Sequence, residues 1–436
     1  MSPVSAEPIA LTAADRLYAT AAPVVFRLLR LGARVRGADP ERLQQRAGLV
    51  PECAGPCLWL HGASAGEMGA AANLVALLRA RGFRFHAAYT TTNAAGLQLI
   101  ARRLAPGDVS SLTPWDAPRW VARALDRWRP AALVLVETEL WPALILAAAR
   151  RGIPVVCASA RIYPGDVPRY RLVRRLIQPT VRRVAVVLAQ SDRERQRFVA
   201  LGAPPERCQT AGNLKHVVPV PSARDGEAFR RAVALGPDER VWVVGSLHHD
   251  EAALVCAAYE RLPAALRRVV VAPRHPAALR AIETAAAERG WAVARRSAVP
   301  RPGWRLLLLD SVGELRAAYA SATVAVVGGG FASHGGHDLV EPLRCGAPVL
   351  FGPHTAHTEP EASALRAAEP SAVVDTPAAL ADRVAAWMSD EHLRRTVLRR
   401  QHAALPDPEA VAERYAAAFE PWMRACRAVA RPSRSS

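Results

Sequence analysis

Carboxylates in short loops mark where this sequence could carry out proton transfer. The segment His61–Glu67 links a predicted strand to a predicted helix, and Gly66 helps to open the loop. Glu67 at the helix start could take the proton from an attacking hydroxyl group. The same carboxylate could instead only complement the helix dipole, which would lower its pKa and weaken it as a base. The spacing alone leaves both interpretations open.

Two further carboxylates and a solitary lysine lie near the predicted ends of other strands. Glu137 and Glu139 follow an apolar run, and we expect at least one of them to face the same cleft as Glu67. Lys215 is the single lysine of a chain that otherwise uses arginine at its basic positions. A compact ammonium on a flexible stem suits a phosphate at a domain junction. The alternative is chance survival of one lysine.

In the second half of the chain, four consecutive predicted strand ends carry a charged residue or an imidazole, and three of them also carry glycine. One such turn is a weak signal, because strand-to-helix turns are usually polar and glycine-rich. Their repetition predicts a ligand site at the carboxyl ends of a parallel sheet. The residues at the first three ends are Gly245, Ser246 and His248, then Pro273, Arg274 and His275, then Asp310, Gly313 and Glu314.

The fourth strand end is the most informative. Gly328–Gly330 free the backbone for a tight turn, and a helix predicted over Leu339–Cys345 would offer unpaired N–H groups to a phosphate. Glu341 would then accept hydrogen bonds from ribose hydroxyls. Asp338 and Glu341 also have the spacing of a capping box, in which both would be structural. We favour capping for Asp338 and ribose binding for Glu341.

These motifs require short strands that alternate with helices, and the sequence shows this pattern twice. The pattern predicts an α/β fold with two Rossmann-like, doubly wound domains of parallel sheet. The Pro-rich stretch Val217–Pro221 is interpreted as the linker between them. The apolar runs predicted as strands are Leu58–Leu60, Phe85–Tyr89, Ala132–Val136, Val155–Ala158, Val184–Ala189 and a short one near Gln209, then Val241–Val244, Arg268–Ala272, Leu306–Leu309, Thr323–Val327 and Pro348–Phe351.

Composition and charge limit the possible partners. The net charge of +18 implies an acidic partner: a nucleic acid, an anionic membrane surface or a phosphorylated substrate. Basic runs interleaved with aromatic residues do not occur, so we expect no nucleic-acid binding. Cys53 and Cys57 form the closest cysteine pair, but no second pair or histidine cluster completes a zinc site. No D-x-D motif occurs either, so the sequence predicts no metal and no cofactor. Seven cysteines suit a reducing, cytoplasmic compartment.

The N-terminal stretch Leu17–Val35 mixes large apolar residues with arginines. That composition is typical of a helix lying in the headgroup region of a membrane. An ordinary helix packed on its own domain would have the same composition, and both interpretations stay open. The ten mostly apolar residues between Arg16 and Arg27 fall short of the roughly 20 needed to span a bilayer.

Taken together, these segments resemble the 3-deoxy-D-manno-octulosonic acid (Kdo) transferases of lipopolysaccharide biosynthesis. The matching pieces occur in the order of that family and run from about residue 57 to 360. They are Ser64-Ala65-Gly66-Glu67, Glu137-Thr138-Glu139-Leu140-Trp141-Pro142, Ser159-Ala160-Arg161, Gly212-Asn213-Leu214-Lys215, Pro273-Arg274-His275-Pro276, Gly313-Glu314-Leu315, Gly335-Gly336-His337-Asp338, Glu341-Pro342 and Phe351-Gly352-Pro353.

The resemblance implies a GT-B fold, with two domains facing across a cleft, and metal-independent transfer of Kdo from CMP-Kdo to a lipid A precursor (lipid IVA) with inversion. It implies Glu67 as general base, with Lys215, Arg274 and the helix at Asp338 stabilising the leaving phosphate. The resemblance also implies two sets of binding residues. The donor-binding residues are Ser246, Pro273, Arg274, His275, Gly313, Glu314, Leu315, Gly335, Gly336, His337, Asp338 and Glu341. The acceptor-binding residues are Ser64, Gly66, Glu137, Glu139 and Arg161.

With these roles, we predict an N-terminal amphipathic membrane-contact segment at residues 1–40 and an acceptor-binding domain at residues 41–217. A nucleotide-sugar-binding domain follows at residues 222–405, and a C-terminal helix and tail at residues 406–436. The implied location is the cytoplasmic face of the bacterial inner membrane, with peripheral or N-terminally anchored attachment to its anionic surface.

The sequence departs from the family pattern at three places. Ile162–Asp166 stands where a serine-containing stretch is usual, Asp338 where asparagine is usual, and Leu247 where threonine is expected. The first change affects acceptor recognition, and the second adds a negative charge close to the phosphate site. Two other hypotheses remain: a GT-B transferase that uses a UDP-sugar, and a catalytically silent relative that binds anionic lipid.

Overall fold

The computed structural model of the chain describes residues 10–217 and 223–429. The predicted linker lies outside the described residues apart from Val217, as does the tail from Arg431 onward. The described chain divides into two compact units. Unit 1 contains the described residues up to 217 and those from 407 onward, and unit 2 contains residues 223–406.

Unit 1 is built on a parallel sheet of seven strands with helices in the connections. Its strands are β1 (Cys57–His61), β2 (His86–Thr91), β3 (Val109–Leu112), β4 (Ala132–Val136), β5 (Val155–Ala160), β6 (Val186–Ala189) and β7 (Cys208–Thr210). Its first nine helices are α1 (Ala13–Val35), α2 (Pro40–Arg46), α3 (Ala65–Ala80), α4 (Ala94–Ala101), α5 (Pro118–Trp128), α6 (Pro142–Arg150), α7 (Val167–Leu172), α8 (Arg174–Arg182) and α9 (Asp192–Leu201). The strand order is β3-β2-β1-β4-β5-β6-β7.

Two apolar layers cover the faces of this sheet, because successive side chains of a strand point to opposite faces. In β1, Leu58 and Leu60 belong to one core layer and Trp59 belongs to the other. Every residue of β1 and β4 is buried, which is why these strands consist almost entirely of apolar residues.

Unit 2 repeats the arrangement with a parallel sheet of six strands. Its strands are β8 (Trp242–Leu247), β9 (Val269–Pro273), β10 (Val293–Arg295), β11 (Leu306–Leu308), β12 (Val324–Val327) and β13 (Val349–Phe351). Its helices are α10 (Ala223–Ala232), α11 (Ala252–Arg261), α12 (Pro276–Glu288), α13 (Leu315–Ser321), α14 (Val340–Arg344), α15 (Glu359–Ala368), α16 (Pro377–Ser389) and α17 (Glu391–Ala403). The strand order is β10-β11-β9-β8-β12-β13.

The last helix, α18 (Pro408–Val429), returns to unit 1. Val411, Tyr415, Phe419 and Met423 are buried in the core layer that also contains Leu58 and Leu60. Because these four side chains recur every four residues, one stripe of the helix completes the apolar layer of a sheet far away in sequence.

The predicted α/β class with two Rossmann-like parallel sheets is confirmed. Each predicted apolar run forms a strand, and the structure adds β3 and β10. Among the helices within residues 10–217 and 223–429, none combines the length and the apolar content needed to cross a bilayer.

Candidate functional site

Each sheet has a topological switch point, where strands that are neighbours in the sheet continue into helices on opposite faces. In unit 1 this point lies between β1 and β4, and in unit 2 it lies between β8 and β12. Ligands of open parallel sheets bind beyond the carboxyl ends of the strands at such a point. The Glu67 loop follows β1, Glu137 follows β4, and Gly328–Gly330 follow β12. The structure thus places these three motifs at the switch points, whereas Lys215, Arg274 and Glu314 follow β7, β9 and β11.

Glu67 sits in the first turn of α3, where the chain leaves β1. Ser64 is the N-cap: its hydroxyl accepts from the Glu67 N–H at 3.2 Å and donates to Glu67 Oε1 at 3.0 Å. The backbone N–H of Ala63 donates to Glu67 Oε2 at 2.5 Å. These bonds fix the direction of the carboxylate.

The surroundings of Glu67 raise its pKa above the ordinary value. Burial is the largest cause, followed by the negative charges of Glu139 and Glu137, while the bonds from Ala63 and Ser64 act in the opposite direction. The sequence left open whether the helix start would lower this pKa. The net increase makes Glu67 a stronger base than an ordinary glutamate, so the structure favours the interpretation as a base.

Glu137 and Lys215 form a tight ion pair beside this carboxylate. Glu137 is 1% exposed, its φ of 61° is in the left-handed region, and its Oε1 lies 2.6 Å from Lys215 Nζ. The Tyr163 hydroxyl donates to Glu137 Oε2 at 3.1 Å. A Cβ atom on Gly66 would lie 3.8 Å from Lys215 Nζ, so the ammonium also lies close to the start of α3. Glu137, a predicted acceptor ligand, is thus buried and paired with Lys215.

The remaining predicted acceptor residues border this cluster. Glu139 Oε2 accepts from Trp141 Nε1 at 2.8 Å and lies 3.2 Å from Nε2 of the buried His61. The Arg161 guanidinium lies 4.3 Å from the ring centre of Tyr163. Tyr163 belongs to the segment that departs from the family pattern, so this departure adds a hydrogen bond and a cation–π contact to the cluster.

In unit 2 the glycine loop after β12 is already occupied by a carboxylate of the protein. Glu251 is 1% exposed, and its oxygens accept from the N–H groups of Gly329 at 2.8 Å, Phe331 at 2.9 Å, Ala332 at 3.2 Å and His248 at 3.0 Å. The prediction that this loop and the following helix present unpaired N–H groups to a phosphate is therefore wrong for these positions. The loop is an anion-binding nest whose anion is Glu251.

The predicted helix N-terminus is also capped from within. The helix is shorter than predicted, and Asp338 Oδ1 accepts from the N–H groups of Val340 at 2.9 Å and Glu341 at 3.1 Å. The cap interpretation of Asp338 thus agrees with the structure, whereas its expected part in a phosphate-facing helix start does not. Glu341 forms an ion pair with Arg316, in which Arg316 Nε lies 2.8 Å from Glu341 Oε1. Burial raises the pKa of Glu341, and Arg316 opposes this rise.

Four histidines gather at the ends of β8, β9 and β12. His248 stacks on His334 with 3.8 Å between ring centres, and its Nε2 lies 2.9 Å from His337 Nε2. The rings of His275 and His248 form an edge-to-face contact with 5.7 Å between their centres. Burial, together with the charge of Arg274, lowers the pKa of His337 to about 4, so this imidazole is neutral near neutral pH. The described residues contain no group of three or more side chains arranged to hold a metal ion.

The other predicted donor residues line the same edge of unit 2. Ser246 has a φ of 55°, and the N–H of Arg274 donates to Leu247 O at 2.8 Å. Arg274 and His275 are exposed. Glu314 Oε1 lies 2.9 Å from Arg296 Nη2. The remaining members are Pro273, which pairs with Leu247, Gly313 at a φ of 95°, Leu315 at the start of α13, and Gly335 and Gly336 at φ of 84° and 79°.

Sequence reasoning missed three contributors to these sites: Glu251, Arg316 and Tyr163. Glu251 follows His248 by three residues, which is the spacing of a capping box, and that signal was available. Its contacts with the glycine loop join parts of the chain about 80 residues apart and left no local signal. Arg316 likewise left no local signal, because its partner Glu341 lies on another helix.

Comparison with solved structures identifies the class of protein. The Anabaena protein HepE in complex with UDP-glucose matches with a TM-score of 0.56 at 12% identity, covering 84% of this chain and 99% of that chain. UDP-GlcNAc 2-epimerase from Neisseria meningitidis matches with a TM-score of 0.56 at 12% identity, covering 85% of this chain and 100% of that chain. At such identities the likeness shows the fold alone, and that fold is GT-B.

Sequence relatives then identify the family. The family model described as 3-deoxy-D-manno-octulosonic-acid transferase (kdotransferase) matches residues 41–218. The 3-deoxy-D-manno-octulosonic acid transferase of Bordetella pertussis is 32% identical over 352 residues, which are 77% of this chain and 81% of the relative. The enzyme of Haemophilus influenzae is 28% identical over 72% of this chain and 75% of its own length. The chain belongs to the 3-deoxy-D-manno-octulosonic acid transferase family and is a glycosyltransferase of lipopolysaccharide biosynthesis.

Proposed function

We propose that the chain transfers Kdo from CMP-Kdo to a lipid A precursor, lipid IVA, with inversion at the anomeric carbon. The observation that carries this proposal is the carboxylate cluster at the switch point of unit 1. There Glu67 is held by its cap and its pKa is raised by burial and by two neighbouring carboxylates. A carboxylate with these properties suits removal of a proton from a hydroxyl nucleophile.

In the proposed step, the acceptor hydroxyl gives its proton to Glu67 while its oxygen forms a bond to the anomeric carbon of Kdo. The bond from that carbon to the phosphate oxygen of CMP breaks, and CMP leaves with the electron pair. A single displacement of this kind inverts the configuration. Acceptor contacts are assigned to Ser64, Gly66, Glu139 and Arg161.

The leaving CMP requires positive charge around its phosphate. We assign this role to Lys215 in unit 1 and Arg274 in unit 2, both of which are basic residues at strand ends of their units. Exposed His275 joins Arg274 at the end of β9. Glu341 is assigned to the ribose hydroxyls, with Arg316 holding its carboxylate in place.

The decisive assay measures CMP release by purified protein with CMP-Kdo and lipid IVA in the presence of a chelator. We expect release with wild type and a loss of at least about 100-fold with Glu67→Gln, which keeps the shape but removes the base. Glu206→Gln makes the same carboxylate-to-carboxamide exchange at an exposed position of unit 1. It serves as the matched control and should be fully active. NMR assignment of the product anomer tests inversion.

Wild type that releases no CMP, or Glu67→Gln that remains fully active, would exclude the proposed reaction or its base. Turnover of a UDP-sugar in place of CMP-Kdo would favour the other GT-B hypothesis. Binding of lipid IVA without turnover of either donor would favour the catalytically silent relative.

We further propose that unit 1 contacts the cytoplasmic face of the bacterial inner membrane through α1 and the α7–α8 segment. One side of helix α1 packs on unit 1 through contacts that include the buried ion pair of Asp15 with Arg183 at 2.6 Å and the bond from the Tyr18 hydroxyl to Asp116. Its other side exposes large apolar residues: Leu17, Val24, Val25, Leu28, Leu29, Leu31 and Val35. The packed side of α1 supports the interpretation as a helix of its own domain, and the exposed apolar side supports the proposed membrane contact.

The α7–α8 segment also exposes large apolar residues, and the Asp15–Arg183 ion pair joins it to α1. Leu172 is 87% exposed and Leu176 is 55% exposed. Exposed arginines surround them, namely Arg169, Arg171, Arg174 and Arg175. Exposed leucines among arginines match a surface of acyl chains beneath anionic headgroups.

Sedimentation with vesicles tests the membrane contact. Wild type should bind vesicles containing phosphatidylglycerol more tightly than vesicles of phosphatidylcholine, and added salt should weaken the binding. The double variant Leu172→Glu/Leu176→Glu should lose most of this binding. Val299→Glu, which adds a charge at an exposed apolar position of unit 2, should bind as wild type does. Equal binding by both variants would contradict the proposed surface.

A further inference from the structure

The last helix of the chain reaches the turn that carries Lys215 through one buried hydroxyl group. Tyr415 in α18 is fully buried, and its Oη accepts from the Ser159 N–H at 2.9 Å and donates to Gly212 O at 2.9 Å. Burial raises the pKa of Tyr415, so the hydroxyl keeps the proton that the second bond needs. One side chain therefore connects the end of β5 with the turn after β7.

Both backbone positions bound by Tyr415 are in the left-handed region. Ser159 has a φ of 53° and Gly212 a φ of 98°. A Cβ atom on Gly212 would lie 2.7 Å from Val411 Cγ2, so α18 packs on this turn too closely for a larger residue. Such conformations persist only where surrounding contacts fix them, and Tyr415 supplies one contact to each.

Hydrogen bonds continue from these positions to Lys215. Ser159 Oγ accepts from the Leu214 N–H at 3.3 Å, and Asn213 Oδ1 accepts from the Lys215 N–H at 3.0 Å. Asn73 of α3 donates to Leu214 O at 3.1 Å and ties the turn to the helix that begins beside Glu67. The position of the Lys215 backbone is thus determined by β5, by α3 and, through Tyr415, by α18.

We propose that Tyr415 is a positioning residue for the transfer reaction and that it acts through Lys215. The inference rests on the role proposed above for Lys215. Without its hydroxyl, the ring still fills the core, but the Ser159 N–H and the Gly212 carbonyl lose their shared partner. The turn then relaxes and the ammonium moves relative to the leaving phosphate. A displaced charge stabilises the transition state less while substrate binding is kept.

A double-mutant cycle of Tyr415→Phe with Lys215→Ala tests this proposal. The readouts are kcat and the KM for CMP-Kdo, measured by CMP release. Tyr415→Phe should lower kcat about 10-fold and change KM less than about twofold. In the Lys215→Ala background the same substitution should change kcat less than about twofold, because the residue it positions is gone.

Phe419→Leu is the matched control, since Phe419 lies one turn further along α18 in the same core layer. It should lower the melting temperature but leave kcat unchanged at temperatures where both proteins are folded. A 10-fold loss from Tyr415→Phe in both Lys215 backgrounds would overturn the proposal, as would an equal kcat loss in Phe419→Leu. Full activity of Lys215→Ala would overturn the assigned role of Lys215 as well, whereas an impaired Lys215→Ala with additive losses would overturn only the role of Tyr415.

Discussion

Lys215 Nζ lies 2.6 Å from Glu137 Oε1, in an ion pair between a buried carboxylate and a lysine whose side chain is one third exposed. Burial of the lysine by itself would lower its pKa, but the charge and hydrogen bond of Glu137 outweigh this effect and raise it. The side chain therefore stays charged at neutral pH. Glu137 uses one of the three N–H donors of the ammonium. The ammonium also lies close to Gly66, in the helix turn that contains Glu67, the proposed base.

Replacing Lys215 by arginine should damage the enzyme although the charge is kept. A planar guanidinium is larger than an ammonium and cannot occupy the same space between Glu137 and Gly66. We expect kcat to fall at least about 10-fold, as for loss of a transition-state contact, measured by CMP release. Arg102→Lys, the reverse exchange at an exposed position, should have no effect. Full activity of Lys215→Arg would mean that the single lysine is incidental.

Activity should fall in acid as Glu67 becomes protonated. Because burial and then Glu139 raise the pKa of Glu67, the acid limb of kcat should lie above the pH expected for an ordinary glutamate. Glu139→Gln removes the second cause, so the pKa of Glu67 should fall and the limb should move to lower pH. The measurement is kcat between pH 4 and 8. If the acid limb stays at the same pH in Glu139→Gln, protonation of Glu67 does not cause that limb.

Protonation of His337 should destabilise the protein below neutral pH. Its pKa is about 4 in the folded protein and 6.5 for an ordinary histidine, so the unfolded chain binds the proton first as the pH falls. The stabilising contribution of the neutral imidazole is present above about pH 6.5 and is lost as the pH falls towards 4. His337→Asn should flatten the pH dependence of the free energy of unfolding across this window, measured by urea titration. The control His392→Asn, at an exposed position of unit 2, should leave the pH dependence of the free energy of unfolding as in wild type.

Glu251→Gln should lower stability and weaken binding of CMP. The carboxamide offers one acceptor oxygen where the carboxylate offers two, and its N–H groups would face backbone N–H groups. Leaving buried donors without a partner costs about 1–3 kcal/mol. We expect a lower melting temperature. Because the loop leads into Gly335, Gly336 and His337, which are proposed donor ligands, we also expect a raised dissociation constant for CMP in calorimetry. Glu288→Gln on the exposed side of α12 is the control, and equal behaviour of the two variants would show that Glu251 does not hold the loop.

Local patterns were sufficient to predict most of the fold. The buried strands could be recognised because both faces of each sheet are covered, which demands apolar runs such as Ala132–Val136. The two missed strands, β3 and β10, lie at sheet edges, where one side has no neighbouring strand. Ser110, Ser111 and Arg295 are tolerated there, so the apolar signal is weak.

The candidate site was predicted in outline but not in its internal contacts. Glu67, Lys215 and Arg274 could be proposed because their types and positions after strands suggested chemistry. The glycine loop was misread because glycine spacing predicts a nest of N–H groups but not the anion that fills it. Glu251 occupies that nest only because β8 and β12 are neighbours in the folded sheet. Contacts between distant segments leave no local pattern.

The return of α18 to unit 1 has a consequence for synthesis on the ribosome. The apolar layer around Leu58 and Leu60 includes Tyr415, Phe419 and Met423, so unit 1 cannot complete its core before residues 408–429 have left the exit tunnel. Unit 2, whose residues are all translated earlier than α18, has no such delay. The nascent chain thus keeps the core of unit 1 incomplete and accessible to chaperones until α18 has been made.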